Sequence, residues 1–374
     1  MHVGLNLIFL VPGETGGMEV AARELIPELI AQAPAGTRFT AFVNKEAASE
    51  GSLAELLPTE TVPVRARNRV EWVLGEQTLL PVLAARAGVD LVHSMASTAP
   101  LAGPFRRVVT IHDLIYARFP DAHAGIRAKG MAMLVPWAAR RSERVIVDSQ
   151  STREDLIALR GIRAERVEVV PLGLGATAGA EPAPAAAIRE RLGLGGRPVL
   201  LSLSAKRPHK NLAALIDALA RIGPERRPVL VLPGYATWHE RELRERAAAA
   251  GVLADLRFPE WLSDAELEGV WAIARAFVFP SLYEGFGLPV LEAMARGVPV
   301  ACSNSSSLPE VAGDAALLFD PHDVAQIAAA VERVLYDEPF AAQLRERGRQ
   351  RALQFTWART ARLTLEVYAR ALGA

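Results

Sequence analysis

Two hydrophobic patterns alternate along this chain. Short apolar, β-branched runs predict strands at Val3–Leu10, Phe39–Val43, Thr61–Val64, Leu91–Ser94, Val108–Ile111, Val145–Asp148 and Val167–Val170. Between them, apolar positions recur at helical spacing at about Gly17–Gln32, Trp72–Ala87, Ile126–Arg141 and Ser151–Arg160. The alternation then restarts. It predicts strands at Val199–Ser204, Val229–Leu232, Leu256–Phe258, Phe277–Pro280, Val298–Cys302 and Ala316–Phe319, separated by helices and closed by a last helix at about Trp357–Leu372. Apolar strands alternating with helices mean a parallel sheet covered on both faces. The expected fold class is therefore α/β, with two Rossmann-like doubly wound domains.

The boundary between them is compositional. Residues 173–196 are rich in Ala, Pro and Gly, as in Gly179-Ala180-Glu181-Pro182-Ala183-Pro184, and carry one short helical piece near Ala186–Leu192. The expected organisation is a first domain over 1–172, a linker over 173–196, a second domain over 197–355 and a C-terminal helix over 356–374. Two such domains would leave an interdomain cleft at the C-terminal ends of their strands, where doubly wound sheets bind ligands.

Composition narrows the function classes. The chain has 374 residues, with 42 basic and 42 acidic side chains. A neutral chain has no overall field to attract nucleic acid. A single cysteine, Cys302, cannot form an internal disulfide, so a reducing compartment and a cytoplasmic location are expected. The first residues run as a strand into Pro12-Gly13 and do not read as a signal peptide. Cys302 ends an apolar strand and reads as inert core. The histidines show no metal-ligand spacing, so no metal is expected. Lysine is scarce: Lys45, Lys129, Lys206 and Lys210 are the only ones, which makes a pair within five residues conspicuous. Arg65, Arg67, Arg69, Arg106, Arg107, Arg140, Arg141 and Arg144 would suit anionic lipid or a charged acceptor. Acidic residues balance them over 1–172, so solvated surface is the other reading.

The segment Ser281-Leu282-Tyr283-Glu284-Gly285-Phe286-Gly287-Leu288-Pro289-Val290-Leu291-Glu292 carries the most chemistry. It leaves an apolar strand and enters a helix. Gly285 and Gly287 permit a tight turn, and Pro289 suits a first helical turn. Amides near Phe286, Gly287 and Leu288 would then open an anion site at the helix start. Glu284 and Glu292 flank it, and ionised carboxylates are good acceptors for sugar hydroxyls. A capped strand–turn–helix connection is the plainer reading. Upstream, Ala205-Lys206-Arg207-Pro208-His209-Lys210-Asn211 also links a strand to a helix. Cations there would stabilise charge on a departing diphosphate. Gly16 and Gly17 open the first helix. Their spacing from Gly13 is not that of a dinucleotide loop, and no acidic residue ends the second strand. His112 follows a strand and is expected to project into the cleft in a positioning role, with Asp113 as its neighbour and an alternative base. Trp261 is expected either to stack on a nucleobase or to pack in the core.

Glu284 and Glu292, with seven residues between them in SLYEGFGLPVLEAMARGVPV, resemble the signature of the retaining group 1 glycosyltransferases, the glycogen-synthase-like superfamily of GT-B fold. The segments at Gly13–Glu19, Thr110–Leu114, Val147–Ser151, Ser303–Val311 and Phe355–Trp357 resemble further family segments in the same order. The resemblance implies a donor-sugar role for Glu284 and a nucleotide-ribose role for Glu292. It implies sugar and diphosphate contacts for the amides of Phe286–Leu288, a diphosphate role for Lys210, and a place beside the donor sugar for His112. It also implies a final helix crossing back to the first domain. Ala205 stands where the family usually has an arginine, and Lys206 or Arg207 is expected to supply that charge. The expected function is metal-independent transfer of a hexose, with a lean to mannose, from a nucleotide diphosphate sugar. The acceptor would be a glycan, a lipid-linked glycan or a small molecule. No cofactor is expected, and contact with the inner membrane face stays open. A sugar-nucleotide epimerase and a non-catalytic nucleotide-sugar-binding protein are the two other readings.

Overall fold

The thirteen strands found among the described residues form two all-parallel sheets. The structure is a computed structural model that describes residues 1–119, 126–175, 180–234 and 237–373, with the backbone alone over 126–129. The chain divides into two compact units: Met1–Gly175 with Phe355–Ala374, and Ala176–Gln354.

In the first unit, β1 (His2–Leu7), β2 (Arg38–Val43), β3 (Thr59–Thr61), β4 (Leu91–Ser94), β5 (Arg106–Ile111), β6 (Arg144–Val147) and β7 (Val167–Val169) pair in the order β3-β2-β1-β4-β5-β6-β7. β1 and β4 are buried at every position, which is why their sequences run apolar without alternation. Direction reverses between β1 and β4, the switch point of this sheet. The connecting helices end where the chain dictates. Asn68 caps helix Arg69–Ala87 by accepting from the amides of Val70 and Glu71, and Gly88 at φ 67° closes it. Ser149 caps Gln150–Arg160 through the Thr152 amide.

The last helix, Trp357–Leu372, buries Trp357, Thr360, Ala361, Thr364, Val367, Tyr368 and Ala371, a single helical stripe. It packs against helix Gly17–Gln32. Gly173 makes this possible: a Cβ there would stand 2.4 Å from the Trp357 backbone nitrogen. Tyr368 reaches the sheet, with its hydroxyl 2.7 Å from His93 Nδ1, while His93 Nε2 meets Thr110 Oγ1 at 2.8 Å.

In the second unit, β8 (Val199–Leu201), β9 (Val229–Val231), β10 (Leu256–Arg257), β11 (Ala274–Phe279), β12 (Val300–Ser303) and β13 (Ala316–Phe319) pair in the order β10-β9-β8-β11-β12-β13. The switch point here lies between β8 and β11. Helix Asp264–Ile273 carries the capping box legible in the sequence, with Ser263 and Glu266 bonded reciprocally.

One boundary changes. The expected linker over 173–196 is not a free connector. Helix Ala185–Arg191 belongs to the second unit, where Ile188 is buried and packs over Gly269, and the Ala183 amide bonds to the Ala265 carbonyl. Apolar burial recruits the segment despite its Ala/Pro composition. Residues 176–179 of that stretch lie outside the described residues. Among the described residues no helix is long and apolar enough to cross a membrane.

Candidate functional site

Two loops leave adjacent strands at the second switch point. β8 feeds residues 202–211 and β11 feeds residues 280–287; Leu201 lies opposite Phe277 in the ladder. The loops are stitched together where the Leu282 amide donates to the His209 carbonyl at 2.8 Å. This brings Lys210 to Glu284, with Nζ 2.6 Å from Oε1 and both side chains largely shielded. Lys210 Nζ also lies 5.6 Å from the centroid of the Phe279 ring. A largely shielded ion pair at loop tips is costly to desolvate unless its remaining bonding capacity is used. Breaking one partner leaves the other charge ready for an incoming group.

Immediately beyond Glu284 the chain turns at Gly287, at φ 110°, and enters helix Leu288–Ala295. A Cβ on Gly287 would lie 2.7 Å from Leu308 Cδ2, so conformation and space both favour glycine. The first-turn amides of the helix have no acceptor within it. A serine loop supports the bend. Ser306 Oγ accepts from the Glu284 amide at 2.8 Å, and Ser307 Oγ contacts the carbonyls of Glu284 and Phe286 at 3.0 and 2.7 Å. The hydroxyls of Ser202 and Ser281, buried at the ends of β8 and β11, have no hydrogen-bond partner among the described residues. These serines were not singled out by chemistry in the sequence. A run of three hydroxyls after a buried strand, Ser305-Ser306-Ser307, is the signal that would have found them.

Glu292 lies in the helix. Burial holds its carboxyl above the usual value, with Arg296 pulling it down and Glu268 pushing it up. Trp261 is 70% exposed, which removes the core-packing reading and leaves its ring available for stacking.

Lys206 corrects an expectation. Either Lys206 or Arg207 is expected from the sequence to supply a second phosphate cation beside Lys210. The Lys206 side chain is instead fully buried, and Nζ bonds to the Gly234 carbonyl. Burial draws its pKa down to about 8. The chain turns at Arg207 into the short helical turn Pro208–Lys210, so neighbouring cations point different ways. Arg207 is partly exposed and Lys206 is not.

The first unit places its candidates differently. Gly16 caps helix Gly17–Gln32 at φ 64°, and the space a Cβ would take is open at both Gly16 and Gly17. His112 does not turn both ring nitrogens outward. Nδ1 is 2.7 Å from Asp148 Oδ2, and Nε2 is 3.0 Å from the Met95 carbonyl. Its partner is Asp148 and not the adjacent Asp113, whose Oδ1 accepts from the Ile115 amide. Burial works against a charge on His112, but the Asp148 carboxylate overrides it and raises the pKa to about 9. His112 is thus an imidazolium donating from both nitrogens. Asp148 was missed, yet it was findable. Ile111 pairs with Val147, so the next residue of each strand must be a neighbour. The cavity that His112 and Asp148 line with Met18, Thr110 and Trp357 measures about 20 Å³, room for about one water and not for a sugar.

The arginines expected on a basic face are largely engaged within the unit. Arg107 donates to the carbonyls of Pro100 and Gly103, Arg67 pairs with Glu14, and Arg140 donates to the Arg160 carbonyl. Arg65 and Arg141 remain exposed. Among the described residues no group of three or more His, Cys, Asp or Glu side chains is placed to hold a metal.

Comparison with known proteins agrees with this fold. Residues 185–351 match the family model "Glycosyl transferases group 1", and residues 15–175 match "Glycosyltransferase Family 4". The chain is 33% identical to O-antigen chain mannosyltransferase B of Escherichia coli over 269 residues, 70% of each chain. It is 33% identical to the serotype-specific mannosyltransferase WbdA of the same species over 72% of this chain, which is only 34% of that longer protein. In fold it resembles sucrose-phosphate synthase from Thermosynechococcus elongatus, with a TM-score of 0.77 and 21% identity over 99% of this chain and 98% of that one. Anabaena HepE, solved with UDP and glucose, gives a TM-score of 0.76 at 21% identity over 99% of this chain and all of that one. Two doubly wound parallel sheets, both family models and these relatives lead to one conclusion: the chain belongs to the group 1 glycosyltransferases of GT-B fold.

Proposed function

We propose that this glycosyltransferase moves a hexose, mannose in preference, from a nucleotide diphosphate sugar to a hydroxyl acceptor with retention of anomeric configuration. The observation that carries the reading is the meeting of Lys210 and Glu284 beside the Gly287 helix start. An incoming diphosphate takes Lys210 and the helix-start amides, and Glu284 is released to accept sugar hydroxyls. Glu292, with its protonation favoured by burial, accepts or donates to ribose hydroxyls, and Trp261 stacks on the base. Arg207 supplies the second cation in place of Lys206. His112 orients the sugar through its ring edge and the backbone beside it.

In the step itself the bond from the anomeric carbon to the diphosphate oxygen breaks, and its electron pair leaves with the nucleoside diphosphate. The acceptor oxygen bonds to the same face of the anomeric carbon, and its proton passes to the departing phosphate. Fixed cations and amides receive the charge, so neither metal nor cofactor is required. The second unit seats the donor and the first holds a glycan, a lipid-linked glycan or a small molecule. The enzyme works in the cytoplasm, touching the inner membrane face through exposed arginines such as Arg65 and Arg141. The mannose preference is supported by the names of the relatives at 33% identity.

A panel of nucleotide sugars tests this by thermal shift, followed by NMR of the product formed with an added acceptor and a chelator. GDP-mannose should give the largest shift and a product of unchanged anomeric configuration. An inverted product, a chelator-sensitive rate, or consumption of donor without release of nucleoside diphosphate would overturn the respective part.

A further inference from the structure

The second unit has another concavity, at the opposite end of its sheet from Lys210 and Glu284. It is a hollow broadly open to solvent where β8, β11 and β12 begin, against Val199, Ala274 and Pro299, with a volume of about 400 Å³. Its charged lining is four arginines, Arg189, Arg197, Arg275 and Arg345, with Glu338 as the one carboxylate. Glu338 and Asp255 offset part of the charge of these four guanidinium groups, and the hollow keeps a net positive lining. Arg189 is fixed by the carbonyls of Gly195 and Arg197, at 2.8 and 3.2 Å. Arg275 gives Nε to the Leu335 carbonyl at 2.8 Å and Nη2 to Glu338 at 3.3 Å. Arg345 reaches the other oxygen of Glu338 through Nη2. Arg197 gives Nη2 to the carbonyls of Arg227 and Pro228 and to Asp255. Nη1 of Arg275, and Nη1 and Nε of Arg345, have no acceptor among the described residues. The heads are therefore positioned while donors remain to be used. Guanidinium forks of this kind match phosphate oxygens in pairs.

We propose that this pocket binds a small multivalent phosphate at a site separate from the donor site. The volume exceeds the need of one halide or carboxylate and falls in the range of small-ligand pockets. The strands between the two sites span on the order of 10–20 Å, so occupants would not compete directly. β8 and β11 run from this pocket to the loops of Lys210 and Glu284, so its occupant grips the far ends of the strands that carry the donor site.

Calorimetric titration of the full chain with pyrophosphate tests this at low salt. Arg345→Gln, which removes a head bonded only to Glu338, should weaken binding by ~10-fold, as for a lost charge-assisted contact. Glu338→Gln should tighten it about threefold by removing the one carboxylate of the lining. A merely structural role for Glu338 does not predict that gain. Lys210→Ala should leave this binding event in place. Absence of any event sensitive to Arg345→Gln, in protein with unchanged melting temperature, would overturn the proposal. Loss of all binding in Lys210→Ala would do the same.

Discussion

The two sheets share one plan and differ in what their switch points hold. Between β8 and β11 the second unit gathers an ion pair at loop tips, Lys210 with Glu284, beside a helix start. Between β1 and β4 the first unit gathers a network of another kind. Asn6 donates to Glu76 at 2.9 Å and to Ser94 at 3.0 Å, and Thr98 donates to Glu76 at 3.0 Å. Burial raises the Glu76 carboxyl to about 7, so much of its charge is suppressed near neutral pH. The first unit's charged pair, His112 with Asp148, lies one strand over and is closed on itself. The same crevice therefore becomes two different sites through its side chains. One is an ion pair at the mouth of its crevice, and the other is a wall of polar groups bonded to one another.

The largest expected effect comes from breaking the second unit's pair on its acidic side. Glu284→Ala should lower the transfer rate by ~10²–10³-fold if the carboxylate bonds the reacting sugar. Circular dichroism and melting should stay close to wild type. Near-normal turnover would remove Glu284 from the site.

His112 tests the other side of the comparison. Its folded pKa, about 9, lies above the ordinary value of 6.5. The stabilisation it gains from Asp148 is therefore fully present below about pH 6.5 and is lost as pH rises through 9. The difference in unfolding free energy between wild type and His112→Gln should shrink by about 3 kcal/mol between pH 6 and pH 10. A difference that grows as pH rises from 6 would mean that the folded imidazole is neutral, and one independent of pH would mean that its pKa is unshifted.

Lys210→Ala should weaken the affinity for free nucleoside diphosphate by ~10–100-fold, the worth of one charge-assisted hydrogen bond. Unchanged affinity by calorimetry would deny the phosphate role. The smallest effect is expected at Lys206. Lys206→Met should change that affinity by less than ~twofold, because its ammonium is spent on the Gly234 carbonyl. A loss matching that of Lys210→Ala would restore Lys206 to the diphosphate.

Much of this was legible in the sequence because it is local. Helices Gly17–Gln32, Ile126–Arg141 and Trp357–Leu372 and strands Leu91–Ser94 and Ala316–Phe319 fall where periodicity puts them. The Gly287 turn was legible because a backbone constraint writes itself as Gly followed by Pro two residues on. What escaped was set by pairing across the sheet. His112 finds Asp148 through strand register, not through the adjacent Asp113. Lys206 and Lys210 are separated by a helical turn that only the folded loop defines. The segment 180–196 reads as linker by composition, yet Ile188 and Leu194 bury themselves in the second unit. Short helices such as Lys45–Glu50 and Leu308–Ala312 carry too few residues for a periodic signal.

We propose that the Lys210 ammonium and the Gly287 helix start together receive the diphosphate of a sugar donor. In a crystal structure of the enzyme with GDP-mannose, phosphate oxygens should lie within hydrogen-bond distance of Lys210 Nζ and of amides at Gly287–Leu288, with Glu284 turned from the lysine to the sugar. A diphosphate bound elsewhere on the second unit, with the Lys210–Glu284 pair intact, would contradict it.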